Sequence, residues 1–507
     1  MAKKTHTLPL VLPARNPGAP AHRWLCTALR AEILEGRLRP GARLPATRDL
    51  AQQYGLSRGT IVTAFEQLKS EGYLEGSVGS GTYVNAVLPD ELLQVARRAS
   101  RPAVAPPPAV RRPRRDLARF GRRVQLLPPY ELRPVYPFRT DLPALDLFPT
   151  TLWAQLAARR LRRAPASLLL GCGPLGYPPL QEAVADYLRT SRGVRCSPAQ
   201  VVIVSGVQEA LDRVARMVLD PGDRVCMEDP GYIGAAFVFD ACGAKIVPLP
   251  LDEEGMVLPS GRLTGGGGGL RGVRLAYVTP AHQFPLGIGM SLARRLALLE
   301  WARSCGALIV EDDYDAEFRY SGRPLPALQG LDLHRLVLFA GSFSKVMFPS
   351  LRLGYLVVPP DLLDRFAAAA SITSRHAPLL EQAVLCDFLT EGHFGRHVRR
   401  MREVYAERSA ALLEGARSRL TGLLEIAGIE AGLQTAAWLR EGIADEEAAQ
   451  AAARRGVEVV PLSRYSRRPM PREGLQLGFA AVDTRQIRRG VEDLALALEE
   501  VAEENRR

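Results

Sequence analysis

VVIVSGVQEALDRVARMVL, residues 201–219, is the stretch on which the fold turns. Four apolar residues suited to a buried strand run into Ser205 and Gly206, and apolar positions then recur at helical spacing. The pattern returns downstream: RVCMEDPGY (224–232), RLAYVTPAH (274–282), ALIVEDDYD (307–315) and RLVLFAGSFSK (335–345) each carry an apolar run into polar residues. Amphipathic helices of about 10 to 15 residues between such runs are the mark of βαβ units, with helices on both faces of a mostly parallel sheet. An α/β domain is therefore expected over residues 136–500. Its last part is richer in helix (HVRRMREVYAERSAALLEGARSRL, 397–420) and ends in a smaller α+β subdomain with strands near VEVVPL (457–462) and LQLGFA (475–480). No helix start follows glycines 265–269, which read as a loop rather than a phosphate cradle.

Working towards the N-terminus, residues 88–135 break the pattern. RRASRPAVAPPPAVRRPRRDLARFGRRVQLLPPYELRP (97–134) is dominated by Arg and Pro, which favours extended, solvated chain and reads as a basic linker. Before it, residues 18–87 form a second periodic unit. Leu25, Leu29, Ile33 and Leu34 line one helix, ended by Gly36 and Pro40. Thr47 is placed to cap a second helix containing Leu50, Ala51 and Tyr54, and Gly55 closes it. Ser57 is placed to cap a third helix over 58–70, with Ile61, Val62, Phe65 and Leu68 as its apolar face. Its exposed start, Arg58, Gly59, Thr60 and Thr63, is small enough to let a helix backbone approach base edges in a major groove. YLEGSVGSGTYV (73–84) then reads as two strands and a Gly-Ser-Gly turn, a wing.

Composition supports two working parts. At roughly 150 residues per domain, 507 residues suggest about three domains, or one large and one small. Hydrophobic residues make up 47% and charged residues 24%, ordinary globular usage that excludes a disordered chain. Seven cysteines, odd in number and never paired as CxxC, argue against a disulfide framework or structural zinc and fit a reducing cytoplasm. No metal site is expected. Nowhere do 18 uncharged apolar residues follow one another, so no membrane span is expected. The net charge of +12 favours a polyanionic partner.

The candidate chemistry gathers at the ends of the apolar runs. GSFSKVMFPSLRLGYL (341–356) places Lys345 past a strand, after Ser342 and Ser344 and before Arg352, a set suited to a phosphate dianion beside an amine. Asp312 and Tyr314 close another strand, where ligands sit in parallel sheets. The amides of Val207 and Gln208 open a helix and can cradle phosphate, and Tyr232 can stack on a ring. A lysine for an imine, an acid for a ring nitrogen, a phenol and a phosphate cup are what pyridoxal 5'-phosphate requires.

These motifs carry a resemblance. Leu44, Pro45, Arg48, Leu50, Ala51, Ser57, Arg58, Thr60, Ala64, Leu68, Glu71, Gly72, Gly79, Gly81, Thr82, Tyr83 and Val84 match the pattern of GntR-family winged helix-turn-helix regulators, with Ala46 where the family commonly has Ser. TPAHQFPLGIGMSLARRLALLEWA (279–302) and EDDYDAEFRYSGRPLPALQGLD (311–332) resemble the MocR subgroup, in which a fold-type I aminotransferase-like domain follows the winged helix. The resemblance implies a homodimeric regulator that binds a double-stranded DNA operator and responds to a small-molecule effector. That effector would be pyridoxal 5'-phosphate or an amine adduct of it, in control of vitamin B6 or amino-acid metabolism. It implies DNA contacts by Arg43, Arg48, Ser57, Arg58, Gly59, Thr60, Thr63, Gly81 and Thr82. It further implies Lys345 as the Schiff-base lysine, Asp312 on the pyridinium, Tyr314 on O3', His282 lining the ring, and Ser342, Ser344 and Arg352 on the phosphate.

Three departures bear on activity. Gln476 stands where many aminotransferases have an Arg for a substrate α-carboxylate, and a neutral amide does not replace a bidentate guanidinium. Ile233 and Gly234 offer no Arg after Tyr232, and Cys172 lies near a position where many relatives have Tyr. The coenzyme set reads as intact and the amino-acid set does not, so a coenzyme sensor is expected, without catalytic residues. A working aminotransferase fused to a DNA reader, and a dimerisation domain without coenzyme, are the alternatives.

Overall fold

The computed structural model describes residues 10–15, 18, 20–77, 81–86, 116–124, 134–258, 270, 272–321 and 326–505. The chain divides into two compact units, Met1–Arg114 and Arg115–Arg507. Glycines 265–269, the wing turn at 78–80 and most of the stretch read as linker lie outside the described residues.

In the first unit, helices α1 (Ala21–Leu34), α2 (Thr47–Tyr54) and α3 (Arg58–Ser70) precede an antiparallel pair, β1 (Leu74–Ser77) and β2 (Gly81–Val84). Ser57 caps α3, its Oγ accepting the Thr60 amide at 3.1 Å, an interaction that stabilises a helix by about 1 kcal/mol. Gly55 ends α2 in the left-handed region at φ 63°, as a tight turn requires. The cap expected from Thr47 is absent: Thr47 is the first residue of α2, and Ala46, with no side-chain oxygen to offer, is the N-cap. Leu34 (48% exposed) and Val62 (41%) face outward, because each sits one step around its helix from the buried stripe that holds Ile33 in α1 and Ile61, Ala64 and Phe65 in α3. The core also takes Leu10 and Leu12 from ahead of residue 18, tied down where Tyr54 Oη donates to Leu10 O and accepts from the Leu12 amide.

The second unit is built on a seven-stranded sheet ordered β3-β11-β10-β9-β8-β4-β5. The strands are β3 (Val201–Val204), β4 (Arg224–Glu228), β5 (Lys245–Leu249), β8 (Val273–Val278), β9 (Leu308–Asp313), β10 (Val337–Ser342) and β11 (Gly354–Val357); β6 (Leu251–Asp252) and β7 (Gly255–Met256) form a separate short pair. All but β11 run parallel; β11 is antiparallel to β10 and β3. Alternation sorts side chains between the two faces. Val201, Ile203, Phe339, Tyr355 and Val357 enter one core, while Val202, Val204, Leu338, Ala340 and Leu356 enter the other. A four-stranded antiparallel sheet, β12 (Leu424–Ile426), β13 (Gln434–Leu439), β15 (Gly474–Gly478) and β14 (Val460–Pro461) in that order, forms the smaller C-terminal part. The sequence had marked only β14 and β15. Within the stretch read as linker, Arg119–Arg123 is an exposed helical turn whose Phe120 ring lies 4.7 Å from the Arg216 guanidinium, a contact that composition did not reveal.

A buried ion pair fixes the helix Pro178–Arg192 to the end of β9. Arg192 Nε and Nη2 donate to Asp313 Oδ2 and Oδ1 at 2.6 and 3.0 Å, with both side chains nearly inaccessible. Removing one partner leaves the other charge uncompensated. Arg192→Met is expected to destabilise the second unit by about 3–5 kcal/mol, read as a fall in its denaturant midpoint, and adding Asp313→Leu should recover most of the loss. A single variant within about 1 kcal/mol of the parent would contradict this.

Candidate coenzyme pocket and nucleic-acid surface

The ends of the parallel strands deliver the sequence-marked residues to one edge of the sheet. β3 leads to Gly206 and the helix Val207–Val218, β4 to Tyr232, β8 to His282, β9 to Asp312 and Tyr314, and β10 to Ser342, Ser344 and Lys345. The reversed β11 starts at the same edge, just after Arg352. Ligand chemistry belongs at such an edge, because strand ends and helix N-termini present unpaired backbone groups there.

Asp312 is buried. Its Oδ2 accepts from Tyr277 Oη at 2.7 Å, while its Oδ1 has no hydrogen-bond partner. Burial, aided by Asp313, pushes this carboxyl up to about 7, against the opposing pull of the Tyr277 bond and Lys345. A cationic N–H facing Oδ1 would satisfy the orphaned atom and restore the ionised form. Lys345 Nζ donates to the Asp141 carboxylate at 2.8 Å and to its carbonyl at 3.0 Å. Asp141 holds the left-handed region at φ 65°, and its amide donates to Gln434 Oε1 at 2.8 Å.

At the other end of the pocket lies a positive corner. A Cβ built on Gly206 would stand 3.4 Å from both terminal nitrogens of Arg352, so the guanidinium meets the start of the helix Val207–Val218. Arg352 is itself held at φ 51°, a conformation that costs a non-glycine residue about 1 kcal/mol or more. A guanidinium against the positive end of a helix dipole is unfavourable on its own, and an anion between them reverses the sign. The Ser344 amide donates to Ser342 Oγ at 3.1 Å, shaping the turn beside this corner.

Aromatic groups complete the walls. The Tyr232 hydroxyl accepts from Gln208 Nε2 at 2.8 Å, and burial pushes this phenol up to about 12, so it stays protonated. Gln208, marked for its backbone, thus also contributes its side chain. His282 Nδ1 lies 3.0 Å from Asp315 Oδ2 and 3.1 Å from the Tyr314 hydroxyl, which places His282 and Tyr314 in one network. Phe284 stands edge-on to Tyr232, Tyr314 and Tyr465 at centroid distances of 5.6, 5.9 and 5.1 Å. Sequence reading missed Asp141, Tyr277, Gln434, Tyr465 and Glu228, the last a buried carboxyl that accepts from the Thr279 amide and hydroxyl. Tyr277 could have been found from its alternation along β8, which puts it level with β9; the others carry no local signal.

In the first unit, Arg43, Arg48, Arg58 and Gly59 are exposed. The wing is brought onto Arg43. A Cβ at Gly81 would lie 3.0 Å from Arg43 Nε, and the Leu44 amide donates to Thr82 O at 2.9 Å. Ser57 and Thr63 are engaged by their own helix, Ser57 as cap and Thr63 by donating to Gly59 O at 2.9 Å. Arginine forks beside a small-residue helix start can engage phosphates and guanine edges. Among the described residues no cluster of acid, His and Cys side chains is placed to hold a metal, and no helix is long and apolar enough to cross a membrane.

The chain matches two family models: bacterial regulatory proteins of the gntR family over residues 25–84, and aminotransferase class I and II over 149–494. It is 42% identical over 484 residues to the "Probable rhizopine catabolism regulatory protein MocR" of Rhizobium meliloti, covering 95% of this chain and 94% of that one. It is 32% identical to the HTH-type pyridoxine biosynthesis transcriptional regulator PdxR of Corynebacterium glutamicum, covering 79% and 80%. Among solved structures, the α-aminoadipate aminotransferase LysN of Thermus thermophilus, complexed with N-(5'-phosphopyridoxyl)-L-leucine, is similar with a TM-score of 0.68 and 30% identity, over 76% of this chain and 97% of that one. With a gntR-type reader followed by a fold-type I aminotransferase domain, the chain belongs to the MocR group of GntR-family transcriptional regulators.

Proposed function

We propose that this regulator binds pyridoxal 5'-phosphate in its second unit and that the coenzyme, alone or joined to an amine, sets its affinity for duplex DNA. The observation that carries the reading is Asp312 Oδ1, buried without a partner on the same sheet edge as Lys345 and the Arg352 corner. A ligand with a cationic ring nitrogen at one end and a phosphate at the other completes both ends at once. Bound there, pyridoxal phosphate supplies an aldehyde that condenses with amines and a ring that draws off electrons. Asp312 would hold the ring nitrogen protonated, Arg352, Ser342, Ser344 and the amides of Val207 and Gln208 would hold the phosphate, and Tyr232 and His282 would flank the ring. Tyr314 would serve the ring hydroxyl, and Lys345 would exchange Asp141 for the aldehyde carbon.

Dimerisation forms part of the proposal. The short helix Ala166–Leu170 exposes Leu169 (76%) and Leu170 (88%), and Ile372 (83%) is equally bare. These segments adjoin, since a Cβ on Gly171 would stand 2.9 Å from His376 Nε2. Adjoining exposed apolar residues of this size suit a second copy of the chain. On DNA, Arg58 would reach a base from the start of α3, with Arg43, Arg48, Ser57, Gly59, Thr60, Thr63, Gly81 and Thr82 supporting it.

Purified chain supplied with pyridoxal phosphate should hold a visible absorbance band through dialysis, and Lys345→Ala should lose it without unfolding. Asp312→Asn should weaken retention about ten-fold or more, equivalent to about 1.4 kcal/mol. A Lys345→Ala protein that stays yellow would remove Lys345 from the site. For the DNA surface, Arg58→Ala should cost about 1 to 3 kcal/mol on selected DNA and relax the preference at one position. Equal losses on selected and random DNA would make Arg58 a phosphate contact instead.

A further inference from the structure

The small sheet turns an unpaired amide toward Lys345. Its register sets Gln434 opposite Gly478 and Ala436 opposite Gln476, so Gln434 and Gln476 project from the same face. Gln434 holds the Asp141 amide, and the Asp141 carboxylate holds Lys345. Gln476, wholly buried, therefore stands on the face turned to Lys345. Its Oε1 accepts from Tyr465 Oη at 2.8 Å, and its Nε2 has no partner. Rotating the amide only exchanges which atom is left over. Tyr465 in turn packs on Phe284, the ring shared with Tyr232 and Tyr314.

The charges around this amide favour one ligand class, and the choice rests on the coenzyme reading above. Nearby arginines already face carboxylates: Arg464 is on Glu446 at 2.6 Å, Arg467 is on Asp240, and Arg139 lies 3.9 Å from Glu458. Among the described residues, the side of the pocket formed by the small sheet offers one carboxylate, Asp141, held to Lys345, and one neutral amide, Gln476, on the face that holds Asp141. Among the described residues, a ligand carboxylate would meet a like charge there while Arg464, Arg467 and Arg139 already face carboxylates and Arg352 stands at the phosphate corner, whereas a hydroxyl can donate to Asp141 and accept from Gln476. We propose that the pocket accepts a primary amine bearing hydroxyl groups and no carboxylate, with Asp141 and Gln476 as the residues that set this specificity.

Serinol and L-serine test this, because they differ only where a hydroxymethyl group replaces the carboxylate. Full-length chain loaded with pyridoxal phosphate is titrated with each by calorimetry, and its melting temperature is followed in parallel. Serinol should bind at least about ten-fold tighter and raise the melting temperature more. Gln476→Arg should shift the preference toward serine, and Asp141→Asn should narrow the gap; if Gln476→Arg fails to fold, the parent ratio and Asp141→Asn still decide. Serine binding as tightly as serinol, or neither compound binding, overturns the proposal while leaving the coenzyme reading in place. A chain that never retains the coenzyme overturns both.

Discussion

Separated unlike charges on one sheet edge organise this protein. At Gly206 the Arg352 guanidinium is pressed against the positive end of a helix, and at Asp312 a carboxyl is buried with one oxygen unpartnered. Neither arrangement is comfortable alone. The first concentrates positive charge, and the second carries the desolvation cost that pushes the carboxyl up to about 7. The parallel strands with reversed β11 bring both to the same edge, and the two bulk cores hold them there. Strain of this kind is tolerated where a ligand relieves it.

Lys345 links this edge to the chain entering the unit. It is held by Asp141, which lies 204 residues away in sequence and only shortly beyond the Arg/Pro-rich stretch. On the proposed reading Lys345 would give up this contact with Asp141 when the coenzyme is held, so loading would change a segment that in sequence follows the Arg/Pro-rich stretch. Only such a difference in affinity between two arrangements lets a ligand shift DNA binding.

How much of this was legible in sequence follows from the range of each interaction. Ser57 as cap, Gly55 as left-handed stop and the strands around Asp312 and Lys345 are written in adjacent residues, and local chemistry was enough to place them. Thr47 failed as a cap because a one-residue shift of the helix start moves the role to Ala46, a boundary that propensity does not fix. Val62 and Leu34 were placed on the apolar faces by helical spacing, but each is adjacent in sequence to a core residue, Ile61 or Ile33, and the helix turns it to solvent. Asp141 and Tyr465 were invisible because their partners, Lys345 and Gln476, are supplied by tertiary packing. Gln476 was noticed for what it replaces; that its amide is buried and half-satisfied needed the register of β13 on β15.

The most direct measurement compares full-length chain on duplexes carrying two selected half-sites or one, with and without pyridoxal phosphate, for the parent and Lys345→Ala. Coenzyme should change the parent's affinity for the paired half-sites, change the single site little, and leave Lys345→Ala unaffected. Identical affinities with and without coenzyme on both duplexes would contradict control of DNA binding by this pocket.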